Sequence, residues 1–402
     1  MKFPWSTKSN ESVSYTTIEA TSDLAKLLGS GESKSSVQVT HKTALQASVA
    51  LGCARVIAQG IAQVPLKLYE PKDGGGAEPH LTHPLFRVLH DSPNEWQTSF
   101  EWREMTALHL VFAGNAYSQI TRNNQGDVIE LLPLYPNDVK PERKGHEIIY
   151  TVTTNGEKVP ISSDNILHLR GLSWNGFEGL DGVRLAREAI GLALATEEHG
   201  SRQFSNGATI PGILQTEQAL TAPQLEVLKD SFAKAQQGLN NAWNVMITHG
   251  GLKYQPTSLN NEQAQFTEVR SYQVEEVCRS FGVLPIMVGH DDKAATYASA
   301  QQMFLAHLVH TMGPWYSRLE QSFNKNLLND KDYQAGIYTK FIEKCMLRGS
   351  HEERAAFYNT MFNIGALNPN EIRAAEELNP YDGGEEYRVP MNTENPGEQD
   401  GI

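Results

Sequence analysis

Cysteine is scarce in this chain: three in 402 residues, Cys53, Cys278 and Cys345, with no CxxC. That spacing supports neither a disulfide framework nor a zinc knuckle and makes a reducing compartment the expectation. Long apolar runs are missing too. The longest, residues 105–113 and 189–195, fall far short of the ~20 that cross a bilayer, so no membrane partner is expected. Positive charge is in deficit, with 34 Lys and Arg against 47 Asp and Glu and a formal net charge of −13. A protein that grips nucleic acid by neutralising phosphates needs the opposite balance. DNA that merely slides past an acidic wall does not. No GxxxxGK[ST], GxSxG, dinucleotide fingerprint or Cys/His nucleophile signature stands at a usable position, and no HExxH occurs. What is present is 40% hydrophobic residues, enough for a sizeable core, over a length that suggests two or three folding units.

Residues 1–40 are rich in Ser and Thr, lack the basic start and apolar run of a secretion signal, and read as a flexible arm. Apolar residues at helical spacing predict a helix over 43–64, closed by Pro65, with a short strand over 66–69. Helices are predicted over 83–90 and 99–112, the second opened by Thr98 with Glu101 three residues on, a capping box. Strands follow over 115–122, 128–134, 148–154 and 166–170, with Asn155-Gly156 as a hairpin turn. An alanine-rich helix over 180–204 is apolar on more than one face, the mark of packing on several sides. A compact insert with strands over 213–215 and 244–248 and a helix over 223–236 separates it from a second long helix over 261–281. A loop over 283–296 leads into a helix over 297–328, where Gly313-Pro314 predicts a kink near Met312. A strand over 337–347, a helix capped by Ser350 and a short helix opened by Asn368-Pro369 complete the pattern. Residues from Asp382 onward read as loose.

Two HxxH pairs, His80/His83 and His307/His310, are the candidate metal ligands, but neither has a carboxylate at helical spacing. No metal or cofactor is therefore expected. His290-Asp291-Asp292-Lys293 could chelate a hard cation, but adjacent side chains diverge, which favours a mobile charged loop. Trp96, Trp102, Trp174 and Trp243 suit either stacking on bases or sugars or stapling loops to a core. A cytosolic hydrolase built from scattered carboxylates or these histidines stands as the alternative function.

The order and wording of several stretches carry a more specific message. They are residues 49–69 (VALGCARVIAQGIAQVPLKLY), His83-Pro84-Leu85 with Ser92-Pro93-Asn94, and Gly114-Asn115-Ala116-Tyr117 leading to Glu130-Leu131-Leu132-Pro133-Leu134. Residues 166–170 (ILHLR), 179–194, Phe204-Ser205-Asn206-Gly207-Ala208 and 265–270 (QFTEVR) continue the series. Phe281-Gly282-Val283-Leu284-Pro285 and Asn370-Glu371-Ile372-Arg373 with Gly383-Gly384 end it. Together they resemble the phage portal protein family in its compact siphophage and prophage form, over residues 43–384.

The resemblance implies an α+β ring subunit with an α+β wing, two long stem helices flanking a small αβ clip, and a short helical C-terminal crown. On this chain it implies a flexible N-terminal arm over 1–40, the first part of the wing over 41–178, stem helices over 179–206 and 257–282, and the clip over 207–256. A tunnel loop over 283–296, the second part of the wing over 297–348, the crown over 349–381 and a flexible acidic tail over 382–402 follow. The implied partners are eleven further copies in a closed dodecameric ring, the terminase large subunit, major capsid protein and scaffold, a head-completion adaptor, and double-stranded DNA passing without sequence readout. The family has no catalytic residues. Gln224, Lys229, Lys234, Asn241 and Trp243 of the clip are expected to contact terminase or adaptor, and His290, Asp291, Asp292 and Lys293 to present charge near DNA. Converting Asp291, Asp292 and Lys293 together to Ala is expected to impair retention of packaged DNA; particles that package and retain DNA normally would remove that role.

Overall fold

The computed structural model describes residues 33–72, 74–144, 147–205, 212–215, 221–227, 230, 253–256, 262–290, 297–343, 351–376 and 378–388. The chain forms two compact units, one of residues 1–63 and 67–340 and one of residues 64–66 and 341–402. The fold class is α+β, as expected.

In the larger unit, α1 (His41–Ala44) and α2 (Ser48–Gln63) replace the single helix expected over 43–64. The alanine-rich face of α2 packs on α4 (Ser99–Ala113), and Ala50, Cys53, Ala54, Ile57, Ala58 and Ile61 are buried. Small side chains let the two backbones approach. Helix α3 (Pro84–His90) is capped by His83, and α4 opens on Thr98 with the Glu101 capping box that the sequence announces. Trp102 of α4 is fully buried against Phe323, and its indole N–H donates to Ser118 at 3.2 Å. It therefore serves as a staple, whereas Trp96 and Trp174 are exposed.

Strand β1 (Leu66–Pro71) lies between β2 (Ala77–Pro79) and a later strand, Tyr338–Phe341. The hairpin β3 (Asn115–Arg122) and β4 (Val128–Leu134) spans the expected residues, and β8 (Ile166–Arg170) pairs with the other side of β3. A separate meander, β5 (Val139–Lys144), β6 (Glu147–Thr154) and β7 (Glu157–Ser162), turns on Asn155 and Gly156, both at positive φ. Strands β5 and β7 were not foreseen. They are the outer strands, and each carries a proline, Pro141 opposite Tyr150 and Pro160 opposite Thr151.

The helix expected over 180–204 is divided. Short α5 (Gly182–Leu185), capped by the Asp181 side chain, breaks at Ala186 before α6 (Arg187–Ser205). Strands β9 (Gly212–Gln215) and β10 (Lys253–Pro256) form an antiparallel pair, while the strand expected over 244–248 lies outside the described residues. Helix α7 (Glu262–Phe281) packs on both α6 and α2.

The helix expected over 297–328 comprises α8 (Tyr297–His307), a π-helical turn (Leu308–Met312) and α9 (Gly313–Leu327). At the expected kink, the N–H of Gly313 donates to Leu308 O, five residues back, so the turn widens ahead of Pro314. A wider turn gives the proline ring room where an α-helical carbonyl would collide with it. Met312 reaches into the space left by Gly60, and the Tyr316 hydroxyl donates to Gly60 O at 2.8 Å. Helix α10 (Asp330–Gln334) precedes β11 (Tyr338–Phe341), shorter than the strand expected over 337–347.

In the smaller unit, Ile342 N–H donates to Pro65 O at 2.9 Å. Helix α11 (His351–Asn363) and α12 (Pro369–Ala375) follow, the latter opened by Asn368 with Glu371 in a capping box. The segment expected to be loose from Asp382 is instead folded back through Arg388. Gly384 O accepts from Asn370 N–H, the Tyr387 hydroxyl bonds Glu371 at 2.8 Å, and Arg388 covers the Phe362 ring. Polar contacts hold it, so its hydropathy gave no sign.

Gly114 ends α4 at φ +71, and a Cβ there would lie 2.0 Å from Leu180 O. Gly114→Ala is expected to cost about 3 kcal/mol or more, measured by urea unfolding; a change within ~0.5 kcal/mol would contradict this close contact.

Candidate functional site

The expected channel loop leaves the C-terminus of α7, and the root of that loop is tightly built. Val277 and Cys278 are fully buried in the last turn of α7. Gly282, at φ +67, then reverses the chain, and Val283 N–H donates back to Cys278 O at 3.0 Å. Pro285 starts a 3-10 turn that ends at Gly289, also left-handed. Val288 packs at Gly52 of α2, and the Thr311 hydroxyl in the π turn donates to Gly282 O at 2.8 Å. His290 is half-buried, its Nε2 3.1 Å from Ser271 Oγ on α7 and its N–H bonded to Pro285 O. Of the residues expected to present charge near DNA, His290 thus forms part of the anchored root. Asp291, Asp292 and Lys293 lie outside the described residues. In the expected clip, Gln224 is exposed and its Oε1 accepts from Thr221 N–H and Oγ–H at the start of a helical segment. Lys229, Lys234, Asn241 and Trp243 lie outside the described residues.

A second locus joins the expected wing to the expected stem. Asn115 Nδ2 donates to Ala113 O and Gly179 O, while its Oδ1 accepts from Gly179 N–H at 2.7 Å and from His168 Nε2–H at 2.9 Å. His168 Nδ1 in turn accepts from the Tyr150 hydroxyl at 3.1 Å. These partners fix the neutral Nε2–H tautomer. Tyr117 stacks on the His168 ring at 4.4 Å. The Gly114-Asn115-Ala116-Tyr117 stretch is therefore a junction, with Gly114 allowing the approach of residues 179–180 and Asn115 sewing them down. Its role was not read from sequence, though the tetrapeptide was the available signal.

Burial and the nearby Arg170 hold the His168 imidazole at a pKa of about 3, and burial with the neighbouring His41 holds His109 at about 4. Neither accepts a proton near neutral pH. The first histidine pair has structural duties instead. His83 Nδ1 accepts from Leu85 N–H at the cap of α3, so its Nε2–H faces Asp332 at 3.3 Å, and His80 faces Glu70 at 3.4 Å. His307 is buried and His310 exposed, so that pair shares no environment. Among the described residues, no group of three His, Cys, Asp or Glu is placed to hold a metal ion, and no helix is long and apolar enough to cross a membrane.

Large apolar side chains stand in solvent along the same elements. Leu185 and Leu192 on α5 and α6, Val269 and Tyr272 on α7, and Phe304 and Val309 on α8 and the π turn are all at least 45% exposed. Isolated exposed apolar residues are ordinary, whereas contiguous apolar patches are the kind of surface that associates.

The sequence model described as phage portal protein matches residues 48–377. The chain belongs to the phage portal protein family. It is 32% identical to the portal protein of Enterobacteria phage HK97 over 352 residues, spanning 86% of this chain and 82% of that one. Among solved structures it resembles an HK97-family phage portal protein from Corynebacterium diphtheriae, at 20% identity and a TM-score of 0.57, covering 78% of this chain and 98% of that one. It also resembles a chain in the neck of a native gene transfer agent particle computed with C12 symmetry, at 21% identity and a TM-score of 0.56, covering 89% and 99%. Two buried histidines of this portal-family chain, one of them in the junction, make its stability sensitive to acid. His168 and His109 both have folded pKa values below the ordinary 6.5, so the unfolded chain takes up protons that the folded chain refuses. Their stabilisation is complete above pH 6.5 and is lost as pH falls toward 4 and 3, at up to ~1.4 kcal/mol per pH unit per site. Between pH 6.5 and 5, unfolding titrations should show a loss of about 3 kcal/mol from the two sites, and His109→Gln should remove about half of it. A flat profile would contradict the buried neutral state.

Proposed function

We propose that this chain is the portal subunit of a tailed phage or prophage, twelve copies of which close into the ring at one capsid vertex. Through that ring the terminase motor packages DNA, DNA later leaves, and a head-completion adaptor docks. The observation that carries the ring is the apolar series on α5–α8, which a lone subunit leaves in water. A ring of this size needs heterologous contacts, one face of each copy meeting a different face of the next, and helices that are apolar on more than one side provide both faces. The C12 symmetry of the gene transfer agent neck supports the number twelve.

The net charge of −13 suits a conduit, because each phosphate neutralised along the wall would add friction. The residues 283–296 then form the tunnel loop, rooted by Val288, His290 and Gly282, with Asp291, Asp292 and Lys293 carrying its charge. The clip residues Gln224, Lys229, Lys234, Asn241 and Trp243 meet terminase or adaptor, and major capsid protein and scaffold surround the wing. Assembly takes place in the host cytoplasm and the finished subunit resides in the virion. The subunit itself performs no catalysis; the family is structural, and hydrolysis of ATP belongs to the motor. The histidine version of the hydrolase alternative loses support, since His83 caps a helix and His307 and His310 share no environment.

Native mass spectrometry with negative-stain imaging tests the ring. Twelve chains of 44.6 kDa give a particle of about 535 kDa with an open channel. Phe304→Asp with Val309→Asp should shift the population toward single subunits. A chain that stays monomeric even with capsid protein and scaffold present would overturn the proposal.

A further inference from the structure

Cys53 and Cys278 are separated by 225 residues in sequence, yet their sulfurs stand 3.7 Å apart, and both are fully buried free thiols. Two of only three cysteines have thus been brought into contact, one in the middle of α2 and the other in the last turn of α7. We propose that they form a redox-modification site, a dithiol during assembly in a reducing compartment and an intrachain disulfide once the released particle meets peroxide. The setting in a released particle rests on the portal function proposed above; the chemistry of the pair does not.

The sulfurs are at van der Waals separation, and closing to a bond of about 2.05 Å requires them to approach by about 1.6 Å. The Cys53 thiol donates its hydrogen to the Cys278 sulfur. That bond and burial push the Cys53 thiol up, while at Cys278 the same bond outweighs the opposing effects of burial and Glu275 and favours the thiolate, which makes Cys278 the nucleophile. Its thiolate attacks one oxygen of hydrogen peroxide; the S–O bond forms, the O–O bond breaks, and the departing hydroxide takes up the proton released from Cys278 as water. The Cys53 sulfur then attacks that of Cys278; the S–S bond forms, the S–O bond breaks, and hydroxide leaves as a second water with the Cys53 proton. Two thiols give up two electrons and two protons, and one peroxide becomes two waters. Peroxide is little larger than water, and Cys278 is one residue from the exposed end of α7 at Arg279 and Ser280.

The bond would fasten the end of the stem helix to α2 beside Gly52, where Val288 already packs. It would fix the loop root from which residues 291–296 depart, and it would close a very long loop in the unfolded chain.

The test uses the full chain as it assembles, with Cys345→Ser to leave only the two thiols in question. Hydrogen peroxide treatment, denaturation, alkylation with iodoacetamide and mass analysis should show loss of both alkylatable thiols, a mass decrease of about 2 Da and one joined peptide containing Cys53 and Cys278. Dithiothreitol should reverse all three. The melting temperature should rise by about 5 °C on oxidation. Cys53→Ser and Cys278→Ser, each checked for cooperative melting, should yield neither the joined peptide nor the rise. Thiols that remain fully alkylatable, or that gain oxygen without joining, would overturn the proposal. The mass readings are the same for a ring or a single chain, so failure of the portal function is read separately, from native mass spectrometry.

Discussion

One amide side chain, that of Asn115, makes four hydrogen bonds where β3, β8 and the approach to α5 converge. Four is the full capacity of an Asn side chain, two donated and two accepted. An Asp there would lose both donors, and an Ala would leave Gly179 and His168 without these partners in a partly buried place. The backbone is equally constrained, because a Cβ at Gly179 would fall 1.8 Å from Gly114 O. Sheet and helix thus meet here through main chain and one amide. That rigid join sets where α5 starts, and α5 and α6 set where α7 can pack.

The other long element is organised around a proline. Pro314 lacks a donor, and the π turn at Leu308–Met312 absorbs the mismatch. The widened turn then acquires contacts of its own. Met312 fills the notch at Gly60, and Thr311 bonds the carbonyl of Gly282 at the loop root. A local defect in one helix therefore connects α2, α7 and α9 near a single point. Any displacement of that turn would be felt at the root of the residues 291–296.

Much of this was legible in sequence because strong local signals agreed with the tertiary fold. The Thr98–Glu101 cap, the Asn368-Pro369 helix start, the β3–β4 hairpin and the Asn155-Gly156 turn lie where their chemistry places them. Outer strands β5 and β7 escaped because their Lys, Glu and Pro content is unfavourable to strands and leaves too short an apolar alternation, in β7 only Val159 and Ile161. The break at Ala186 escaped because alanine favours continuing a helix, and only the approach of Gly182 to Val111 O demands a new direction. Family membership was readable from the order of short stretches, whereas the contact between Cys53 and Cys278 was not, since nothing local links residues 225 positions apart. For the expected site, Gln224 and His290 have described surroundings, and His290 proves to be an anchor through Ser271.

Both outer strands of the β5–β6–β7 meander contain a proline, Pro141 and Pro160, and β6 is covered on each side. Proline in an outer strand sits with its missing donor toward solvent, which leaves a gap in the row of groups that a foreign strand would need. A subunit concentrated among many copies of itself faces the hazard of open-ended stacking into fibres. Such a gap disfavours strand-to-strand growth from this sheet, and in the proposed ring self-association falls to the helices, whose side-by-side contacts can close on themselves and stop.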